Sequence, residues 1–297
     1  MKYLMTLALL MTSLTTLGDG LPDSPPEGGA SLLPADRDIP KDEFGKMVRQ
    51  GQLIFSNTGQ YARAYVGNDL SCRNCHLDQG RKAGSAPLWA AFLSYPAYRS
   101  KNHRVNTFAE RLQDCFLYSM NGNKAPPLGD PILVALESYA YWMEKNAKIN
   151  PRLPERGIPQ IQAPGTPPSY ERGKTVYANH CALCHGVDGQ GRRAGDGHVV
   201  FPPLWGSRSF NWGAGMAHLN KAAAYIKTNM PLSLGGSLSD QEAWDVAYFM
   251  DGHDRPQDPR FTGSVDETRA LFHRSRNSLY GHLVDGHVLG NDPASHN

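Results

Sequence analysis

Residues 181–185 read CALCH and residues 72–76 read CRNCH. Two copies of Cys-x-x-Cys-His in one chain decide the fold. On a helical turn the two cysteines of a copy lie close enough to bond the two vinyl groups of one haem. The adjacent His then approaches the iron from the proximal side, and this spacing is the c-type haem attachment motif. The competing chemistry is zinc, where two Cys pairs share one metal. Here the pairs are far apart and each is followed at once by its own His, which favours haem. The reading assigns one covalently bound haem c to Cys72, Cys75 and His76, and a second to Cys181, Cys184 and His185.

Outward from these motifs the chain repeats itself. RQGQLIF (49–55) precedes the first copy and ERGKTVY (171–177) the second. In both, a Gly is followed three and four residues later by a branched apolar residue and an aromatic. APLWA (86–90) and PPLWG (202–206) follow the motifs. ILVALESYAYWM (132–143) and EAWDVAYFM (242–250) close the blocks, with apolar residues recurring at three and four as a buried helix face requires. Strand signals are weak throughout. The expectation is a mostly α protein of two tandem class I-like cytochrome c domains joined by a Pro-rich linker. The carbonyl of Pro87 or Pro203 is a candidate to accept the proximal His Nδ1–H and fix the ring tautomer. Simple core packing by Leu and Trp is the alternative.

The boundaries follow from composition. MKYLMTLALLMTSLTTLG (1–18) has a short positive start and an apolar stretch too short to span a bilayer, and reads as a cleaved signal peptide. An exported, periplasmic protein is therefore expected, with no transmembrane segment in the mature chain. Residues 19–40 read as a mobile leader, 41–150 as the first domain and 151–168 as the linker, stiffened by its prolines. Residues 169–255 read as the second domain. The tail, 256–297, is low in aliphatics and is expected to lie on the surface without a core of its own. Formal net charge is +2, so no basic excess calls for nucleic acid.

A six-coordinate haem needs a second ligand. In the second block Met230, in IKTNMPLSLGGSLSD, stands ten residues before Asp240, the expected cap of the last helix; Met216, in NWGAGMAHL, is the rival. Thioether ligation raises the potential. In the first block the same offset from Asp130 lands on Met120. Cys115 lies five residues earlier and faces a similar direction. A buried Cys is usually a small hydrophobe, yet a leftover thiol in an oxidising compartment is a liability unless something holds it. Met120 and Cys115 both stand as candidates.

YVGNDLSCRNCHLDQGR, APLWAAFLSYPAYRSKNHRVNT, ERLQDCFLYSMNG, FPPLWG, IKTNMP and RPQDPRFTGS, spread over about residues 44–281, resemble the dihaem thiosulfate dehydrogenases. These are periplasmic cytochromes that couple two thiosulfates into tetrathionate, some of which also run in reverse. The resemblance implies His76 and Cys115 as axial ligands of the first haem. For the second it implies His185 and Met230, because the Lys that some members place just before that Met is Asn229 here. It also implies a substrate pocket using Arg111 one turn before Cys115 and Ser119 one turn after.

Arg99, Lys101 and Arg104 are further pocket candidates by sequence proximity. Thiosulfate is a small dianion, and a site for two of them needs several cations; a solvated basic face is the plain alternative. The expected partners are thiosulfate, tetrathionate and an electron-acceptor protein such as another cytochrome. Two rival functions are a dihaem shuttle that makes no bonds, with Met120 as ligand and Cys115 as core, and a haem subunit of a larger sulfur-oxidising complex.

Overall fold

The computed structural model describes residues 33–145 and 156–291. The signal peptide, residues 19–32 of the leader and residues 146–155 lie outside the described residues. Eleven helices are assigned among them: α1 (Glu43–Ser56), α2 (Thr58–Tyr61), α3 (Leu77–Gly80), α4 (Trp89–Phe92), α5 (Phe108–Asp114) and α6 (Pro131–Glu144), then α7 (Tyr170–His180), α8 (Ala182–His185), α9 (Leu219–Asn229), α10 (Asp240–Asp251) and α11 (Val265–Phe272). Among the described residues strands form only three two-stranded antiparallel ribbons: β1 (Ala97–Arg99) with β2 (Arg104–Asn106), β3 (Arg192–Arg193) with β4 (Val199–Phe201), and β5 (Leu283–Val284) with β6 (His287–Val288). The protein is mostly helical, as expected.

The repeated Gly explains how each half is built. α1 crosses α6 at Gly51, where an added Cβ would stand 2.0 Å from the carbonyl oxygen of Ala135. α7 crosses α10 at Gly173, where a Cβ would stand 2.0 Å from the oxygen of Asp245. Only glycine admits so close an approach. Ile54 and Phe55, and in the second half Val176 and Tyr177, follow on the same helix face and are buried. Leu133, Leu136, Ala140 and Met143 line the buried stripe of α6 at helical spacing. The helix starts are capped by side chains: Asp130 accepts from Ile132 N ahead of Pro131, and Ser169 accepts from Arg172 N.

Three expectations are corrected. The cap of α10 is Ser239, paired reciprocally with Glu242, and Asp240 is the first helical residue. α10 is not the last helix, since α11 follows. The tail also has buried substance. Leu279, Tyr280, Val284 and Leu289 belong to the core, and Tyr280 packs edge-on to Trp212. A few well-placed apolar residues are enough to dock a polar segment. The end of the leader is likewise tied down: Asp36 pairs with Arg81 at 2.7 Å and Ile39 is buried.

The halves are stitched together by amide side chains. Asn68 Nδ2 donates to the carbonyls of Ser119 and Ser209, and Asn211 Nδ2 donates to Leu117 O and Asn121 Oδ1. Asn229, fully buried, donates to Gly84 O and Tyr225 O, each at 3.1 Å. Asp69 bridges Arg193 and Arg208. These bonds set α9 of the second half against the first.

Candidate functional site

A cavity of about 580 Å³ lies between the halves. One wall is the CRNCH turn, a 3-10 turn over Cys72–Asn74 in which Ser71 N donates to Asn74 Oδ1. His76 Nδ1 lies 2.6 Å from Ala86 O. A carbonyl only accepts, so Nδ1 carries the proton and Nε2 keeps its lone pair. Burial lowers the His76 pKa, keeping the imidazole neutral. Cys72 also takes a contact from Thr58 Oγ1 at 3.4 Å. Burial pushes the Cys72 and Cys75 thiols up to about 12 and about 11.

His185 repeats the arrangement: its Nδ1 lies 2.9 Å from Pro202 O, and burial lowers its pKa. The accepting carbonyls thus belong to Ala86 and Pro202, one residue before the prolines named from sequence. A proline confines the residue ahead of it to a few backbone conformations, and it is that residue's oxygen that reaches the ring.

Arg111, Cys115, Ser119 and Met120 line the cavity together with the CRNCH turn. They sit on α5 and its continuation. Thr107 and Glu110 form a reciprocal capping box that fixes where α5 begins. Beyond Asp114 the helix widens into a π turn over Cys115–Ser119, closed by Met120 N donating to Cys115 O at 2.9 Å. Arg111 Nη1 donates to Cys115 Sγ at 2.9 Å. The neighbouring Cys115 sulfur raises the guanidinium's already high pKa.

The other basic candidates lie outside the cavity lining. Arg99 Nη1 donates to Tyr95 Oη at 2.9 Å, and Tyr95 itself lines the cavity. Lys101 Nζ donates to Gly213 O and sits 3.6 Å from the centroid of the Tyr118 ring. Burial, reinforced by Arg260, brings Lys101 down to about 7. Arg104 is exposed and bound to Glu110 at 3.0 Å.

The cavity's remaining walls were not legible locally. The linker contributes Gly157 to Ile161, held where Ala86 N donates to Gly157 O. α9 contributes Asn220, Lys221, Ala224 and Tyr225, and the turn before it Met216. Met216, the rival ligand for the second block, therefore faces the first cavity. Met230 ends α9, partly buried against the core.

The residues of the first cavity fit haem. Its volume falls within the roughly 300–1,000 Å³ typical of ligand sites. It presents two thiols, an imidazole with a free Nε2, and the further sulfur of Cys115. The CALCH turn offers the same thiols and the same oriented imidazole. Among the described residues, no group of three or more His, Cys, Asp or Glu side chains is arranged to hold a bare metal ion, and no helix is long and apolar enough to cross a membrane.

Comparisons with known proteins agree with this chemistry. A family model described as cytochrome c oxidase, cbb3-type, subunit III matches residues 168–250. A thiosulfate dehydrogenase of Thiomonas intermedia (strain K12) is 53% identical, over 96% of this chain and 95% of its own. One of Stutzerimonas stutzeri (strain A1501) is also 53% identical, over 86% of this chain and 84% of its own. A solved structure, the thiosulfate dehydrogenase TsdBA from Marichromatium purpuratum in its "as isolated" form, superimposes with a TM-score of 0.85 at 48% identity. The match covers 87% of this chain and 57% of that longer one.

Proposed function

Because the chain belongs to the thiosulfate dehydrogenase family, we propose that it oxidises two thiosulfates to one tetrathionate at the first cavity, outside the cytoplasmic membrane. His185 and Met230 would hold a second haem, which would supply the exit for electrons to an acceptor protein. The observation that carries this reading is the convergence of Arg111, Cys115 and Ser119 from one helix onto the cavity that His76 also lines. In this reading His76 and Cys115 ligate the first haem, and His185 and Met230 the second. Bound haem supplies one-electron redox chemistry, and two together hold the two electrons that one coupling releases.

The protein's own groups do the rest. Two dianions about 5 Å apart repel by on the order of 10 kcal/mol at an effective dielectric of about 20, so cations must hold them together. Arg111 docks the sulfonate of one thiosulfate, and Ser119 donates a hydrogen bond to a sulfonate oxygen. The Cys115 thiolate joins the terminal sulfur of that thiosulfate in an S–S bond, and two electrons are given up. A second thiosulfate attacks the thiosulfate-derived sulfur of this bond. Tetrathionate departs and Cys115 returns as thiolate, so atoms and charge balance. Leu183 and Val187 flank the second His and are 82% and 87% exposed. They offer apolar surface for brief docking of an acceptor.

One observation favours the rival shuttle: Met120 lines the same cavity and is nearly fully buried, as a thioether ligand would be. The deciding assay is thiosulfate-dependent reduction of ferricyanide by the purified holoprotein, with tetrathionate quantified. A protein that exchanges electrons with mediators and forms no tetrathionate is a shuttle.

A further inference from the structure

We infer that Lys221, on the second half of the chain, is a substrate-binding residue of the first cavity, holding the second thiosulfate opposite Arg111. The coupling site is then assembled from both halves. This rests on the thiosulfate reading above and extends it to the second anion.

The position of Lys221 is set by α9. Ala224 and Tyr225 follow Lys221 at three and four residues, and with Asn220 all line the cavity. α9 is anchored to the first half at two points beyond Lys221. Tyr225 Oη donates to Asn74 O at 3.4 Å, within the CRNCH turn, and Asn229 donates to Gly84 O. Lys221 stands one turn before the first anchor, with its chain lying along Gly215.

Its charge has no counterpart. Among the described residues no carboxylate forms a salt bridge with Lys221, whereas Lys227, further along the same helix, pairs with Asp240 at 3.4 Å. Lys221 is solvent-exposed and yet lines the cavity; partial desolvation, then Arg111 and Arg99, both cations, lower its pKa. A lysine kept beside two arginines without a carboxylate is unfavourable in the free protein and favourable once anions arrive. Arg111 already spends one donor on Cys115, so its remaining donors suit a single sulfonate. The second thiosulfate needs a further cation, and α9 brings Lys221 to the same cavity lining.

The competing partner for Lys221 is a haem carboxylate, which has the same charge. Lys221→Gln and Lys221→Arg in the holoprotein separate the two. The readouts are thiosulfate kinetics and the midpoint potential of each haem. Lys221→Gln should raise the half-saturating thiosulfate by about ten- to a hundred-fold, the loss of one charge-assisted hydrogen bond, with both potentials unchanged. Lys221→Arg should recover most of the affinity. Unaltered half-saturation in Lys221→Gln overturns the inference. So does a shifted potential at the first haem with kinetics intact, which assigns Lys221 to the haem carboxylate. Failure of the unaltered protein to oxidise thiosulfate would instead overturn the functional reading.

Discussion

Arg111 holds the sulfur of Cys115 at 2.9 Å from one helical turn away, and the turn that follows Cys115 is widened. The widening has a geometric effect. Each step of four residues along an α-helix advances about 40° around its axis, so three residues spaced by four would fan out. A π turn takes more residues per revolution, and Ser119 is carried back toward the side of Arg111. The cation, the sulfur and the hydroxyl therefore face one cavity. The same turn leaves Met120 lining that cavity behind Cys115.

Arg111→Ala is expected to weaken thiosulfate capture most. Losing a charge-assisted hydrogen bond costs about 1.5–3 kcal/mol, or roughly ten- to a hundred-fold in the concentration needed. Among the described residues Arg111 has no hydrogen-bond partner in the second half, so the fold should survive. Steady-state kinetics that match the unaltered protein would return Arg111 to a structural role.

Met230→Gly should lower the potential of the second haem, because a thioether ligand raises it. The absorption characteristic of Met bound to ferric iron should vanish with it. Met216→Gly should leave that band in place, since Met216 lines the first cavity. The opposite pattern, with the band lost only in the Met216 variant, would reverse the ligand assignment.

Much of this was legible in the chain and some was not. Gly51 and Gly173 were visible as a repeated feature, but that each marks a helix crossing emerged only from the packing, because a missing Cβ does not say which backbone will approach it. The attachment motifs were legible because their spacing is local chemistry. The carbonyls of Ala86 and Pro202 were missed by one residue, since which oxygen reaches His76 depends on loop conformation. Lys221 gave no sign: it lies more than a hundred residues from Arg111, and a Lys on an amphipathic helix ordinarily faces water. Lys101 carried the opposite problem. Its place in a basic run suggested the pocket, while its ammonium is satisfied by Gly213 O and the Tyr118 ring.

The tail supplies a pH dependence that its composition concealed. Asp258 is buried, and burial alone would raise its pKa. Hydrogen bonds from Arg260 and His273 outweigh that and hold it well below the usual carboxylate range. The unfolded chain therefore binds this proton more readily than the folded one. The stabilisation is present above the unfolded value of about 3.9 and is lost as pH falls through the depressed folded one. Asp258→Asn should lower stability at neutral pH and flatten its dependence below about pH 4, as followed by denaturant unfolding at several pH values. A variant with unchanged neutral stability and the same acid slope would remove Asp258 from the account.

Cys115→Gly is the sharpest test of the site. Glycine removes the sulfur without adding bulk, and costs the helix up to about 1 kcal/mol relative to alanine. If Cys115 is both ligand and reaction centre, the consequences arrive together. The first haem should change spin state or accept Met120, which already lines the cavity, and its potential should rise if the thioether replaces the thiolate. Tetrathionate formation should fall by orders of magnitude, because no sulfur remains to carry the first thiosulfate. The second haem should keep its Met-ligated spectrum, since His185 and Met230 stand on the other half of the chain. A shuttle predicts the reverse, with both spectra nearly unchanged and exchange with small mediators retained. A Cys115→Gly protein that still forms tetrathionate at the full rate would eliminate the covalent role of Cys115, whatever the relatives do.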